Sequence, residues 1–136
     1  MKKYLLDTNI CIFFIKGQYG LNKKIADVGE QNCFISEMTV AELKYGIENS
    51  KTPDIMRPIV EAFISKLVII PVFNSLDIYA REKVKLRRQG QMIDDFDILI
   101  GATAIANDMI MVTNNVEHLK RLGNIQIEDW TTITKE

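Results

Sequence analysis

Three carboxylates stand where this sequence can do chemistry. Asp7 closes the apolar run Tyr4-Leu5-Leu6 and is followed by Thr8 and Asn9. Glu42 lies between Ala41 and Leu43 in an amphipathic stretch. Asp97 follows Phe96 and precedes Ile98-Leu99-Ile100. A fourth polar point, Thr113-Asn114-Asn115, comes directly after the apolar run ending at Val112. Each has a local structural reading. Asp7, Thr8 or Asn9 would cap a following helix. Thr39-x-x-Glu42 fits a capping box. Asp94 or Asp95 would cap a helix beginning near Phe96, and Asn114 or Asn115 the last helix. Helix capping does not account for a carboxylate inside an apolar stretch, which is costly to bury unless paired or metal-bound. Asp97 and Glu42 meet that description. Several half-buried carboxylates without a histidine cluster suit a hard, oxygen-liking cation such as magnesium or manganese. That combination suits hydrolysis of a phosphodiester, because the ion holds the phosphate and lowers the pKa of the attacking water.

These acids need elements to position them. Tyr4–Leu6 reads as a buried strand, central in its sheet. Ile10–Ile15 is helical and runs into a polar break at Gly17–Gly20. Leu21–Val28 is a helix by the spacing of Leu21, Ile25 and Val28, and Gly29 ends it. Cys33–Ile35 is a second strand. Val40 to about Glu48 is a helix with Val40, Leu43 and Ile47 on one face. Ser50–Asp54 forms a turn. Ile55–Leu67 is a helix with Pro58 in its first turn. Val68–Ile70 is a third strand closed by Pro71. Leu76–Arg88 is a helix with Leu76, Ala80 and Val84 four apart, ended by Gly90. Phe96–Asn107 is an apolar helix packed on the sheet, Met109–Val112 a fourth strand, Asn115–Leu122 a short helix and Ile125–Ile127 a fifth strand. Strands and helices alternate with short connections, which predicts an α/β fold with a parallel sheet. In such a sheet ligands bind beyond the carboxyl ends of the strands, where Asp7 falls.

The totals exclude other classes. A chain of 136 residues with 47% apolar and 26% charged residues has room for one ordinary globular core. A net charge of -1 does not describe a generally basic nucleic-acid binder. No apolar run is long enough to span a membrane, and no secretory signal is expected from Lys2-Lys3 followed by three apolar residues. Cys11 and Cys33 lack metal-site spacing and read as reduced thiols of a cytoplasmic protein. One histidine, His118, cannot build a histidine metal site.

At these residues the sequence resembles the VapC-type toxins of the PIN-domain ribonuclease family. The resemblance runs in order through four blocks. They are Leu6-Asp7-Thr8-Asn9-Ile10-Cys11-Ile12; Ile35-Ser36 to Thr39-Val40-Ala41-Glu42-Leu43 with Tyr45-Gly46 and Glu48-x-Ser50; Gly90 with Asp97-Ile98-Leu99-Ile100-Gly101-Ala102; and Val112-Thr113-Asn114-Asn115, His118-Leu119, Arg121 and Ile127 to Trp130. It implies one PIN-like domain over 1–136: a mostly parallel central sheet of about five strands flanked by helices. It implies a divalent-metal-dependent endoribonuclease, the toxin of a toxin–antitoxin pair. By position, Asp7 and Asp97 would bind Mg2+ or Mn2+. Glu42 would complete the catalytic triad directly or through water. Thr8, Asn9 and Thr113 would orient these groups. Asn115 stands where many PIN nucleases carry a fourth acid, so a second ion loses a ligand. Asp94 and Asp95 are extra acids nearby, read here as helix caps. Thr103 stands where many relatives have a histidine.

RNA needs positive charge. Arg81, Lys85 and Arg88 supply it on one helix face beside Lys83 and Arg87, with Lys120 and Arg121 as a second group. The resemblance further implies a homodimer and an antitoxin of the VapB kind that places a basic or aromatic residue in the acidic pocket. The helices around Ile55–Leu67 and Val40–Ile47 would form its docking surface. A receiver domain would need paired acids after the first strand, where Asp7 stands alone. A haloacid-dehalogenase-like phosphatase would need Asp-x-Asp, where Asn9 stands instead. A non-catalytic PIN-fold module binding RNA or protein is the remaining alternative, and metal-dependent turnover separates the two.

Overall fold

The computed structural model describes residues 1–132. The chain runs β1 (Tyr4–Leu6), α1 (Thr8–Ile15), α2 (Leu21–Val28), a short 3-10 turn (Glu30–Asn32), β2 (Cys33–Ser36), α3 (Glu37–Glu48), α4 (Pro53–Ser65) and β3 (Val68–Ile70). It continues through a second 3-10 turn (Phe73–Ser75), α5 (Leu76–Arg88), α6 (Asp95–Ala106), β4 (Ile110–Val112), α7 (Val116–Leu119) and β5 (Ile127–Glu128). The expected strand–helix alternation is found, with shifted boundaries.

The five strands lie in the order β3-β2-β1-β4-β5. Every pairing is parallel. β1 is central, as its apolar run implied. Alternation along each strand divides the core in two. Tyr4, Leu6, Cys33, Ile35 and Val112 join one apolar cluster with residues of α1 to α4. Leu5 and Met111 join the other with residues of α5, α6 and α7. Cys11 and Cys33 are free, buried thiols. No helix among the described residues is long and apolar enough to cross a membrane.

Helix α6 is deeply buried. Ile98, Ile100, Ala102, Thr103 and Ala104 have no exposed surface. A Cβ on Gly101 would stand 2.2 Å from Leu122 Cδ1 and 3.2 Å from Leu119 Cδ1. A larger residue here would require Leu122, itself almost fully buried, to shift.

Two local expectations are corrected, and the outward face of one helix is fixed. α3 begins at Glu37, and its cap is Ser36, whose Oγ accepts from the Met38 amide at 3.0 Å. Thr39 and Glu42 therefore form no capping box. Ser36 ends β2 in an extended conformation (φ -78°, ψ 152°) and reaches the orphan amide first. Pro58 lies in the interior of α4, because Pro53 opens that helix. It is exposed and offers no N–H to the Asp54 carbonyl. The four-apart set of α5 faces outward: Leu76 is 40% and Val84 46% exposed, while Leu86 is fully buried.

Candidate active site

The acids come together because parallel topology brings the ends of β1, β2 and β4 to one edge. Asp7 follows β1 in extended conformation and caps α1. Its Oδ1 accepts from the Thr8 amide at 2.8 Å, and its Oδ2 accepts from the Thr113 hydroxyl at 2.8 Å. Thr113 follows β4, and its Oγ in turn accepts from the Asn115 amide at 2.9 Å. The capping reading and the site reading thus apply to the same carboxylate. Burial still raises the Asp7 pKa, against the two hydrogen bonds that favour its charge.

Glu42 reaches the same edge from α3. Its Oε1 accepts from the Thr8 hydroxyl at 2.6 Å. Desolvation raises its pKa, the Thr8 bond opposes this, and the charges of Asp7 and Asp94 raise it further. Asp97 arrives from the first turn of α6. Asp94 caps that helix, its Oδ1 accepting from the Phe96 amide at 2.8 Å. Asp97 is half-buried, and its carboxylate accepts no hydrogen bond from a described residue. Its pKa is pushed up to about 6 by desolvation, then by the charges of Asp7, Asp94 and Glu42. Asp95 faces elsewhere. It pairs with Lys83 at 2.9 Å and accepts from the Tyr79 hydroxyl at 3.1 Å, and these contacts lower its pKa.

The remaining expected residues are distributed as follows. Asn9 is exposed and makes no side-chain hydrogen bond to a described residue. Asn115 occupies the cap position of α7, but its side chain makes no capping bond. Thr103 donates to the Leu99 carbonyl at 2.8 Å within α6. Arg81 and Arg88 line a shallow groove on α5 with Ala80, Val84 and Lys85. Lys85 is partly spent there, at 2.7 Å from Glu82 Oε1. Sequence reasoning missed Thr39, fully buried and 3.2 Å from the Thr8 hydroxyl. The signal was present: a serine ending β2 is the better cap and leaves Thr39 inside the helix.

Oxygen donors alone suit a hard divalent cation. Among the described residues no three His, Cys, Asp or Glu side chains close into a ready-made metal cage. Magnesium does not require one: it keeps several waters and binds through one or two carboxylates plus substrate phosphate. The Asp97 carboxylate fits such an ion, since a half-buried anion with no donor among the described residues lacks compensation there.

The PIN domain family model matches residues 4–125. The tRNA(fMet)-specific endonuclease VapC of Shigella flexneri is 33% identical over 132 residues, covering 96% of this chain and all of that protein. Ribonuclease VapC2 of Rickettsia felis is 34% identical, covering 93% of this chain and 97% of that one. Among solved structures, DNA-bound VapBC from Salmonella typhimurium superposes with a TM-score of 0.88 at 32% identity, covering 96% of this chain and 99% of that one.

Proposed function

The chain belongs to the PIN domain family, and on that premise we propose that it is a divalent-metal-dependent endoribonuclease, the toxin of a toxin–antitoxin pair of the VapBC kind. The observation that carries the reading is the convergence of Asp7, Glu42 and Asp97 from three separate segments, each with its pKa raised by burial or by the others. The names of the relatives, ribonuclease and tRNA-specific endonuclease, support RNA as substrate. We assign the activity to a single domain over 1–136, acting in the cytoplasm.

Asp7 and Asp97 would hold Mg2+ or Mn2+, with Glu42 joining directly or through water. Bound there, the ion would neutralise phosphate charge and make a water nucleophilic near neutral pH. Thr113 and the Thr8 amide fix the Asp7 carboxylate by its two oxygens. Asp97, with no donor among the described residues, would turn toward a ligand. Glu42 has a raised pKa and a fixed Oε1, which suits taking a proton from water.

RNA would run along α5, where neither Arg81 nor Arg88 is ion-paired with a described residue. The exposed stripe of Leu76, Ala80 and Val84 borders the same groove, so a homodimer that covered Leu76 and the edge of the stripe would set Arg81 and Arg88 at its rim, open to RNA. An apolar groove of about 350 Å³ between α1, α3 and α4 is lined by Ile12, Leu43, Ile47, Met56 and Val60, with Glu42 among its residues. It suits an amphipathic antitoxin helix carrying a basic group for the acidic edge. The solved VapBC complexes of structural neighbours support such a partner.

The test is cleavage of total RNA by the purified protein with magnesium, with manganese and with EDTA, alongside Asp7→Asn and Asp97→Asn. Discrete fragments that vanish with EDTA and in both variants are expected. A folded protein inert with every divalent metal would instead favour the non-catalytic module, for which the amide at Asn115 speaks.

A further inference from the structure

The first turn of α6 turns one side chain inward and three outward. Successive residues of a helix stand about 100° apart around its axis. Ile98 is fully buried and faces the core. The remaining arc runs from Asp95 through Phe96 to Asp97. Asp95 ends that arc on the side of α5, where Lys83 pairs with it at 2.9 Å and the Tyr79 hydroxyl donates to it at 3.1 Å. Asp97 ends it on the side of the acidic edge, where the charges of Asp7 and Glu42 act on it. Phe96 therefore stands between α5 and the carboxylates. It is 37% exposed, and neither apolar cluster includes it. The start of α6 is held by other groups. The Asp94 cap takes the backbone amide of Phe96, not its ring. Ile93 and Ile98, the pair that a hydrophobic staple joins, are buried in one cluster.

We propose that Phe96 is a stacking platform for an RNA base beside the phosphate that is cut. The inference deepens the nuclease reading and rests on it for its effect on cleavage, but not for its effect on binding. A strand passing from α5 to the acids crosses this ring. Phosphate oxygens are repelled by the neighbouring Asp94 and Asp97 carboxylates, whereas the face of a base carries no net charge. Unpaired bases of single-stranded RNA can splay out and stack on an aromatic side chain. A base held on Phe96 sets its own phosphate one residue away, at Asp97. The ring supplies attraction where charge cannot, and it selects for a base that is free to leave its neighbours.

The test uses the full chain with Phe96→Ala, Phe96→Leu and Phe96→Trp. RNA cleavage is measured with kcat and KM separated and at several salt concentrations. Phe96→Ala is expected to raise KM about tenfold with kcat within about threefold. Phe96→Leu should behave in the same way, because it keeps apolar bulk and loses the aromatic face. Phe96→Trp should stay within about threefold of wild type. The salt slope should be unchanged in all three, since no phosphate contact is removed. Binding is read separately, by stopped-flow fluorescence of Phe96→Trp in Mg2+ before turnover. The probe is a short oligoadenylate, and the control is a strand of equal length made of abasic ribose phosphate. The one native tryptophan, Trp130, is buried beside Tyr4, and the wild type supplies its background. Quenching by the oligoadenylate and not by the abasic strand is expected. An unchanged KM in Phe96→Ala, a Phe96→Leu that matches wild type, an altered salt slope, or quenching that is absent or equal with the abasic strand would overturn the proposal. If Phe96→Ala does not fold, Phe96→Leu decides by the same criteria. An inert wild type would remove the nuclease reading, and the quenching would still decide whether a base stacks on this ring.

Discussion

Asp7 and Asp97 share one edge of the sheet but are held in opposite ways. Asp7 is 5% exposed, and each oxygen accepts a hydrogen bond, from the Thr8 amide and from the Thr113 hydroxyl. Asp97 is half-buried and accepts nothing from a described residue. Its position is set indirectly, by the Asp94 cap and by the packing of α6 through Gly101. One carboxylate is part of the scaffold that holds β1, α1 and β4 in register. The other accepts nothing from a described residue and, on the proposed reading, is left for a ligand. Such a site would be pre-organised on one side and open on the other.

Removing the two carboxylates separates the roles most sharply. Asp7→Ala and Asp97→Ala are each expected to lower RNA cleavage by about a thousandfold or more. Their effects on the metal-free fold should differ in sign. Asp7→Ala removes a helix cap and leaves the buried Thr113 hydroxyl without its acceptor, costing about 1–2 kcal/mol. Asp97→Ala removes a carboxylate that accepts nothing from a described residue and should raise Tm by about 2–5 °C at pH 7. Thermal melts in EDTA measure both, and equal signs would erase the contrast.

The packing that places Asp97 is tested by Gly101→Ala. The added methyl meets Leu122, so a loss of about 1–3 kcal/mol is expected by urea denaturation. Mn2+ affinity should fall with it, while the Asp7–Thr113 hydrogen bond survives. A variant as stable as wild type would show that α6 can shift freely.

The pH dependence follows from the Asp97 carboxyl at about 6. Its folded pKa is above the ordinary carboxylate value, so between about 4 and 6 the folded chain holds a proton that the unfolded chain has lost. Stability in EDTA should therefore rise as pH falls from 7 toward 5, and Asp97→Asn should flatten that slope. Cleavage should move the other way, fading as pH falls through about 6, and the midpoint should move lower as Mg2+ is increased, because metal competes with the proton. A midpoint indifferent to Mg2+ would remove Asp97 from the metal site.

The smallest effects belong to α5, away from both carboxylates. Charge reversal at Arg81 or Arg88 should weaken cleavage about two- to tenfold and flatten its salt dependence. Reversal at Lys85 should do less, since Glu82 already holds it at 2.7 Å. Rates and salt slopes unchanged in all three would send the RNA path elsewhere.

Local pattern made the elements legible. The run Tyr4–Leu6, the spacing of Leu21, Ile25 and Val28, and the apolar stretch around Ile98 each depend on residues close in the chain, and each formed the element its pattern implied. Asp97 stood out for the same reason, as a carboxylate in an apolar stretch. Three things were not local. The strand order β3-β2-β1-β4-β5 is a choice among crossovers that the strands themselves do not encode. The outward face of α5 depends on which side of the helix α6 covers, and the spacing of Leu76, Ala80 and Val84 is the same either way. The bond from Thr113 to Asp7, and the one from Thr8 to Glu42, join residues whose separation in the chain only parallel pairing of β1 with β2 and β4 can close. Sequence fixes a side chain's chemistry and its local periodicity, whereas its burial and its partners are set by whatever the rest of the chain packs against it.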